Sequence, residues 1–300
     1  MPGIQDQKVR QKAFEFLERL SLEHGDVLPY WSLHKGFECE GIRVPLLGPQ
    51  GIFKPRVLDL PLSITTSPGS PYNDSYSSDG LLHYKYRGSD PAHRDNVGLR
   101  DIMRLGIPLI YLHGVIKGRY LAAWPVFIVN DDPKRLTFTV AVDEKRELNF
   151  SDGFQVQDDV TDVRRRYATA AVLVRLHQRT FREKVLHAYR HACALCRLKH
   201  DSLLDAAHII PDAEDAGEPL VSNGMSLCKL HHAAFDQYIL GISPDFIVEI
   251  RTDILNETDG PMLKYGLQQM HGVRMQLPRR EKDKPNRDAL AERFQRFKSA

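Results

Sequence analysis

Two short cysteine-containing segments constrain this chain more than any other feature. The stretch "CALC" supplies Cys193 and Cys196, and "CKLH" supplies Cys228 and His231, with 31 residues between the two pairs. Each pair has the spacing of a knuckle that holds half of a tetrahedral zinc site, and thiolate and imidazole both suit zinc. The spacing therefore predicts a structural Zn²⁺ site with four protein ligands. The alternative is that these are ordinary small core residues.

A second histidine follows the predicted zinc ligand directly, in "LCKLHHAAFDQ" (227–237). Adjacent side chains on a helix point about 100° apart, so His231 and His232 are not expected to serve the same site. We expect His231 to bind zinc and His232 to face a different site. Asp236 lies four residues after His232 and therefore on the same helical face.

Composition narrows the class of protein. The chain is 42% hydrophobic and 27% charged, and no apolar run approaches the roughly 18–20 residues of a membrane span. Its first residues lack an apolar signal region, so we expect a cytoplasmic protein with no membrane partner. In a reducing compartment, clustered cysteines favour metal binding over disulfides.

The N-terminal half alternates short apolar runs with turn sequences. Residues 7–23 predict an opening amphipathic helix, with apolar positions at Val9, Phe14, Phe16, Leu17 and Leu20. From about 41 to 150, runs such as "LLHYKYRG" and "IPLIYLHGV" are separated by turn clusters. This alternation predicts a curved, mostly antiparallel sheet. One helix is predicted at 96–105, with Asn96 as its N-cap.

A basic segment joins the two halves. Residues 163–190 contain eight Lys or Arg residues against one acid, Glu183, and their pattern predicts one continuous helix or two helices end to end. A solvated helix face would explain the charges. A surface that meets a polyanion would explain them equally well, and on that interpretation Arg164, Arg165 and Arg166 contact a DNA backbone.

Three motifs lie between and just after the cysteine pairs: "AAHIIP" with His208, "NGMSLC" with Asn223 and "HHAAFD" with His232. In this order, residues 180–255 resemble an HNH (ββα-metal) nuclease. The resemblance implies that His208 is the general base on a β-strand. It implies that Asn223 orients that histidine or its loop, and that His232 is a metal ligand on the following helix.

The resemblance also implies a chemistry. Phosphodiester hydrolysis needs a water activated near neutral pH and a cation that neutralises charge on the phosphate and the leaving oxygen. Histidine titrates in the required range. The expected catalytic cofactor is Mg²⁺ or Mn²⁺, because the carboxylate of Asp236, similar in its spacing to a ligand of colicin-type nucleases, favours hard cations. Alternatively, Asp236 pairs with a nearby Arg or Lys.

One position departs from the family. Many HNH nucleases have an acid or a histidine directly before the base as a metal ligand, whereas this chain has Ala207. Either fewer protein ligands hold the metal, or Asp205 reaches in, because residues 205 and 207 lie on one side of a strand. Full catalytic competence depends on which applies.

Residues 71–129 resemble the SRA (YDG) domains of the PUA-like superfamily. The matching features are "PYNDSYSSDGLLHYKYRGSD", "DNVGLRD", "IPLIYLHGV" and "YLAAWPVFIV". Such domains grip duplex DNA and turn a modified cytosine into a pocket, which requires aromatic faces and hydrogen-bonding groups for the base edge. The resemblance assigns Tyr72 and Tyr86 as faces, Asp74 as acceptor and Arg87 as phosphate contact. Alternatively, the tyrosines belong to the core and "PYNDS" is a turn.

Together these features predict an α+β fold with two domains. A curved antiparallel, SRA/PUA-like β-sheet domain with an N-terminal helix is expected at 1–160. A basic helical linker follows at 161–190. A zinc-stabilised ββα-metal (HNH) domain with a C-terminal tail completes the chain at 191–300.

Three functions fit these features. The first is an endonuclease that recognises 5-methyl- or 5-hydroxymethylcytosine in duplex DNA, acting as a homodimer because one HNH site cuts one strand. The second is an HNH endonuclease that reads unmodified sequence or shape. The third is a non-catalytic, zinc-stabilised DNA-binding protein. Ala207 favours the third, whereas the presence of His208, Asn223 and His232 argues against it.

Overall fold

A computed structural model describes the chain at residues 4–68, 81–142, 160–214 and 217–300. The chain divides into two compact units, Met1–Leu176 and His177–Ala300. Across the described ranges, no helix combines the length and the apolar character needed to cross a membrane.

The first unit is built on a curled, half-barrel sheet of seven strands. Six of them run in the order β4-β5-β7-β8-β9-β6, and β1 pairs with β8, while β2 and β3 form a separate hairpin. The strands are β1 (Val27–Pro29), β2 (Phe37–Cys39), β3 (Ile42–Val44), β4 (Ile52–Phe53), β5 (Ser63–Thr66), β6 (Leu82–Lys85), β7 (Leu109–Ile116), β8 (Arg119–Asp132) and β9 (Thr137–Val142).

The sheet is mixed and not wholly antiparallel, which corrects the prediction. Strands β5 and β7 are parallel, with Ser63 opposite Ile110 and Thr66 opposite His113. Parallel neighbours need a long crossover connection, and the chain between these strands supplies one, because it contains β6 and a helix. The other pairings in the sheet are antiparallel.

The predicted opening helix is present as α1 (Ile4–His24). Its predicted apolar positions are all buried, as is Ala13 between them. They pack with buried residues of the short helix α2 (Tyr30–Lys35) and of β7, including Leu33 and Leu112. The 3.6-residue period thus aligned one face of α1 with this core.

The predicted helix at 96–105 begins earlier than expected, as α3 (Arg94–Leu105) with His93 at its N-cap. Asn96 is fully buried and is not the cap. Its side chain accepts a hydrogen bond from the Arg87 backbone N–H at 2.8 Å and donates to the carbonyls of Arg87 and Asp90 at 3.1 and 2.8 Å. Asn96 therefore satisfies buried backbone groups of the preceding loop.

One buried arginine fastens α1 to the rest of the first unit. Arg10 is 1% exposed. Its guanidinium pairs with Asp6 at 2.6 Å and donates to the carbonyls of Pro61 and Pro108 at 2.9 and 3.1 Å. A single side chain thus satisfies polar groups from three separate segments.

The segment predicted as a basic linker is one helix, α4 (Val160–Ala188). Leu173 and Leu176 belong to the core of the first unit, and Phe181, Val185 and Leu186 to the core of the second. The division between units falls inside this helix. Of the two predicted alternatives, a single continuous helix is confirmed.

The second unit contains two small hairpins and several helices around one apolar core. The C-terminal tail ends in a helix, and Asn286 caps it by accepting from the backbone N–H groups of Asp288 and Ala289. The elements are β10 (Leu204–His208), β11 (Gly224–Cys228), α5 (Lys229–Asp236), β12 (Leu240–Ile242), β13 (Val248–Ile250), α6 (Thr252–Asn256), α7 (Pro261–Gly266) and α8 (Arg287–Ser299).

We predict that Arg10→Ala destabilises the first unit by about 3–5 kcal/mol, because it leaves Asp6 and two buried carbonyls without their partner. Urea unfolding followed by circular dichroism measures the loss. Gln11→Ala, on the exposed side of the same helix, is the matched control and should change stability by no more than about 0.5 kcal/mol. Equal effects of the two substitutions would contradict the assignment.

Candidate active site and metal centre

Strands β10 and β11 form an antiparallel hairpin that runs directly into α5. Leu204 lies opposite Cys228 and His208 lies opposite Gly224. Cys228 is therefore at one end of the hairpin and His208 at the other. Cys228 is the N-cap residue of α5. The hairpin-then-helix arrangement is the one that the HNH resemblance implies.

The four predicted zinc ligands come together at the Cys228 end. Their ligand atoms all lie within 4.8 Å of one another. The Nδ1 of His231 lies 3.4 Å from the Cys193 sulfur and 3.2 Å from the Cys228 sulfur, and the Cys196 and Cys228 sulfurs are 3.9 Å apart. Tetrahedral zinc, with bonds of about 2.3 Å to sulfur and 2.0 Å to nitrogen, needs separations of roughly 3.5–3.8 Å. The cluster therefore fits a Cys₃His metal site.

Two further features suit these residues to a metal. The Nε2 of His231 lies 2.8 Å from the carbonyl oxygen of Gly266. Because a carbonyl only accepts, Nε2 carries the proton, and in the neutral ring Nδ1 is left with a lone pair for a cation. Among the three cysteines, hydrogen bonds from Cys196 and Cys228 lower the pKa of the Cys193 thiol, while the contacts with Cys193 and Cys228 raise the pKa of Cys196, so one thiolate is favoured before a metal binds.

His208 lies at the opposite end of the hairpin against α4. Its ring stacks on Phe181, with centroids 4.0 Å apart and planes 13° from parallel. The approach depends on Gly224, because an added Cβ there would lie 2.5 Å from a Val185 methyl and 2.7 Å from the Phe181 ring. Glycine at the start of β11 thus lets α4 pack closely enough to hold the histidine ring.

The surroundings of His208 favour its neutral form. Burial lowers the pKa of the imidazole; Asp212 and Asp236 oppose the shift, and positive charge on His232 supports it. Its Nε2 is shielded and has no hydrogen-bond partner in the described part of the chain. A neutral imidazole can accept a proton at a ring nitrogen that no hydrogen bond occupies.

Asn223 acts on the chain that follows His208. Its side chain is 7% exposed. It accepts from the Ile210 N–H at 2.9 Å and donates to the carbonyls of Ile210 and Glu218 at 3.0 and 3.1 Å. The Asn223 carbonyl also accepts from the Ile209 N–H at 2.9 Å. Of the two predicted roles, the geometry supports orientation of the loop.

His232, the neighbour of the zinc-side histidine, is flanked by two carboxylates. Its Nδ1 lies 3.7 Å from an Asp205 oxygen, and its Nε2 lies 3.3 Å from an Asp236 oxygen. The predicted helical offset from Asp236 is therefore correct, and Asp205 does reach this site from β10. The two carboxylates lie at different nitrogens of the ring.

Two arginines outside the motifs contact these carboxylates. The Nε of Arg182 in α4 lies 3.9 Å from Asp205, and its Nη2 donates to the backbone carbonyls at 201 and 204. Arg293 in α8 lies 3.8 Å from Asp236 and donates to the Phe235 carbonyl. The alternative that Asp236 pairs with an arginine is therefore observed, whereas its role as a metal ligand stays a prediction.

Sequence patterns did not single out these supporting side chains. Arg182 was one member of the basic segment, and Arg293 lies on a terminal helix without a motif. Phe181 and Gly266 carry no local signal either, because each acts through a contact distant in sequence. Only the spacing of apolar residues on α4 indicated that one of its faces is buried.

The predicted base pocket is described only in part. Tyr72 and Asp74 lie outside the described residues. Tyr86 is 7% exposed, its ring stacks on Phe138 with centroids 4.5 Å apart, and its hydroxyl bonds to Asp131. The ring thus packs in the sheet core, as the alternative interpretation expects, but Tyr86 also borders a cavity beside β6, so its role as a base face stays a prediction.

Arg87 borders a cavity of about 420 Å³ beside β5 and β6, which Thr65 and Tyr84 also line. Its guanidinium contacts Asp95 and Gln50. Tyr86 and Arg87, two members of the predicted base pocket, both line this cavity, and its use as that pocket stays a prediction.

The three arginines predicted to meet a DNA backbone lie near the start of α4. Arg165 lies over the Phe127 ring, with its guanidinium carbon 5.1 Å from the centroid, and its carbonyl accepts from the Thr169 hydroxyl at 2.6 Å. Arg166 is exposed, whereas Arg164 is partly buried. Contact of Arg164, Arg165 and Arg166 with DNA stays a prediction.

Comparison with protein families decides the class of the second unit. Residues 193–243 match the family model described as HNH endonuclease. This segment is an HNH endonuclease domain. The match contains His208, Asn223 and His232 as well as the four clustered metal ligands, and it makes the chain a nuclease.

Comparisons of the whole chain add little. No curated protein matches it. Among solved structures it is similar to one titled "Modification dependent TagI restriction endonuclease", with 17% identity over 78% of this chain and 80% of that chain, at a TM-score of 0.28. A likeness this low does not support an argument about fold or function.

We predict that substituting the two adjacent histidines of α5 has different effects on the protein. His231→Ala should release the metal and lower the melting temperature of the HNH unit, because the cluster loses a ligand. His232→Ala should keep the metal and the fold but abolish DNA cleavage. Metal content by atomic emission, thermal melting and plasmid nicking separate these outcomes. Two folded, metal-loaded and inactive variants would refute the division.

We also predict an acidic limit to cleavage set by His208. Because burial lowers its pKa, the rate should fall only below the ordinary histidine value of about 6.5. Asp212→Asn removes a carboxylate that raises this pKa, so it should move the midpoint to still lower pH. Single-turnover rates measured across pH provide the test, with Asp201→Asn as control. A midpoint above the ordinary value would count against His208 as the base.

Proposed function

We propose that the chain is a DNA endonuclease that recognises modified cytosine in duplex DNA and hydrolyses phosphodiester bonds at a one-metal site in its HNH unit. The observation that carries the hydrolytic part is the arrangement on the hairpin and α5. It combines a buried, neutral-favouring His208, a loop fixed by Asn223, and His232 with a carboxylate beside each ring nitrogen.

His208 is proposed to take the proton from the attacking water. Its stacking on Phe181 holds the ring plane, and the Asn223 hydrogen bonds hold the chain that follows it. A lowered pKa keeps the imidazole unprotonated near neutrality, which a general base requires. Both features act before substrate arrives, so the base is positioned in advance.

His232 is proposed to hold the catalytic cation with a carboxylate. An imidazole with a hard oxygen ligand fits Mg²⁺ or Mn²⁺. Two pairs of ligands are available for the cation, His232 with Asp236 and His232 with Asp205. Because the two carboxylates lie at different ring nitrogens, a cation bound at one nitrogen uses only one of these pairs. When bound, such a cation neutralises charge on the phosphate and the leaving oxygen.

The Cys₃His cluster is proposed to hold Zn²⁺ as a structural metal. Its four protein ligands leave no open position for substrate or water. Cys193, Cys196, Cys228 and His231 join the segment before β10 to the junction of β11 and α5. Zinc there fixes where α5 begins, and hence the position of His232 one residue later.

The modified base is proposed from the SRA resemblance of residues 71–129. Beside β5 and β6 the first unit has a cavity bordered by Arg87, and we propose that it receives the extruded base. One HNH site cuts one strand, so we further propose that two protomers act together on the duplex.

The decisive experiment digests three duplexes that differ only in carrying cytosine, 5-methylcytosine or 5-hydroxymethylcytosine. Purified full-length protein with Mg²⁺ or Mn²⁺ should cut a modified duplex faster than the unmodified one. His208→Ala should bind DNA but not cut it, while His200→Ala, a surface histidine, should cut normally. Equal rates on all three duplexes would indicate a reader of unmodified DNA. No cutting of any duplex would indicate a non-catalytic binder.

A further inference from the structure

A large groove on the first unit has no role in the function proposed so far. It has a volume of about 1190 Å³ and lies between β4 with its flanking loops and the start of α3. Typical small-molecule pockets are about 300–1,000 Å³, so this space suits an extended ligand better than a compact one. The apolar side chains of Ile52 and Phe53 contribute to its wall.

Four cations line this groove: Arg43, Lys54, Arg56 and Arg94. They come from three separate segments, so the concentration of charge is created by folding and not by a basic run in the sequence. All four side chains are exposed, and each can therefore meet a ligand from solvent.

The protein leaves most of the positive charge of these four side chains uncompensated. Arg43 and Lys54 donate to the carbonyls of Lys35 and Leu58 at 2.8 and 2.9 Å, which fixes each side chain without cancelling its charge. Arg56 forms no ion pair in the described part of the chain. These three groups keep their positive charge available to an anion.

The groove also contains two carboxylates, Asp59 and Asp95. Asp95 is already bridged by Arg87 and, at 3.4 Å, by Arg94, so its negative charge is satisfied by the protein. Asp59 opposes one positive charge, and the three cations Arg43, Lys54 and Arg56 together outweigh it, so the groove keeps a net positive charge. A polyanion of regular charge spacing is the ligand whose chemistry matches cations spread along an extended groove.

We propose that this groove binds the sugar-phosphate backbone of the DNA duplex. This inference rests on the proposed function for its ligand but assigns residues that neither the motifs nor the family match include. The partly exposed Phe53 contacts a sugar, and the cations contact phosphates. Segment 43–61, whose sequence had no assigned role, thereby becomes part of the recognition surface.

The test measures binding by fluorescence anisotropy with a labelled duplex and the full-length His208→Ala protein, which is expected not to cut. Log affinity is plotted against log KCl concentration. Arg43→Gln/Arg56→Gln, which removes two groove cations that pair with no carboxylate in the described part of the chain, should raise Kd and make the slope shallower by about 1.8, since each lost phosphate contact contributes about 0.9. Thermal melting verifies that the variant is folded.

Two matched variants make the test specific. Arg104→Gln/Arg135→Gln removes the same net charge from the same unit outside the groove and should leave the slope unchanged. Arg43→Lys/Arg56→Lys keeps the charge and should retain most of the slope. An unchanged slope in the groove variant, an equal loss in the control, or no duplex binding by the His208→Ala protein overturns the proposal.

The result of the DNA-binding test is distinguishable from the result of the cleavage test. If wild-type protein never cuts DNA but binding depends on Arg43 and Arg56, the groove proposal holds and the enzymatic proposal fails. If wild-type protein cuts DNA while the groove variant binds with the same affinity and slope as the parent, the groove proposal alone fails.

Discussion

The convergence of Cys193, Cys196, Cys228 and His231 is the constraint on which the nuclease unit depends. It joins a loop before the hairpin to the point where β11 becomes α5. Backbone bonds reinforce the junction, because Ala194 donates to the Ser226 carbonyl and accepts from the Gln276 N–H, both at 2.7 Å. With the start of α5 fixed, the direction of each side chain on that helix follows from its 3.6-residue turn.

The division between His231 and His232 follows from that geometry. His231 is 1% exposed and turns towards sulfur, whereas His232 turns towards Asp205 and Asp236. A rotation of about 100° per residue thus separates the Cys₃His cluster from the site proposed for catalysis. The same helix thus transmits the rigidity of one site to the other.

The supporting contacts around the site come from both flanks of the HNH segment. Arg182 precedes it and Arg293 follows it, and each approaches one of the carboxylates beside His232. Arg293 also lies over the rings of Phe235 and Tyr238, at 4.7 and 4.4 Å from their centroids. Held in this way, the carboxylates keep their positions before any cation binds, and a preorganised site spends less of its binding energy on ordering.

The sequence by itself determined the metal cluster, the order of His208, Asn223 and His232, the opening helix and the helical character of residues 163–190, whereas the structure decided that these residues form one continuous helix. Each depends on spacing along a single element or on residue types that suit one chemistry. Tertiary structure alone decided the parallel pairing of β5 with β7, the core position of Tyr86, the loop-holding role of Asn223 and the charged groove. These features bring together residues far apart in the chain, and local periodicity contains no information about which distant segments will meet.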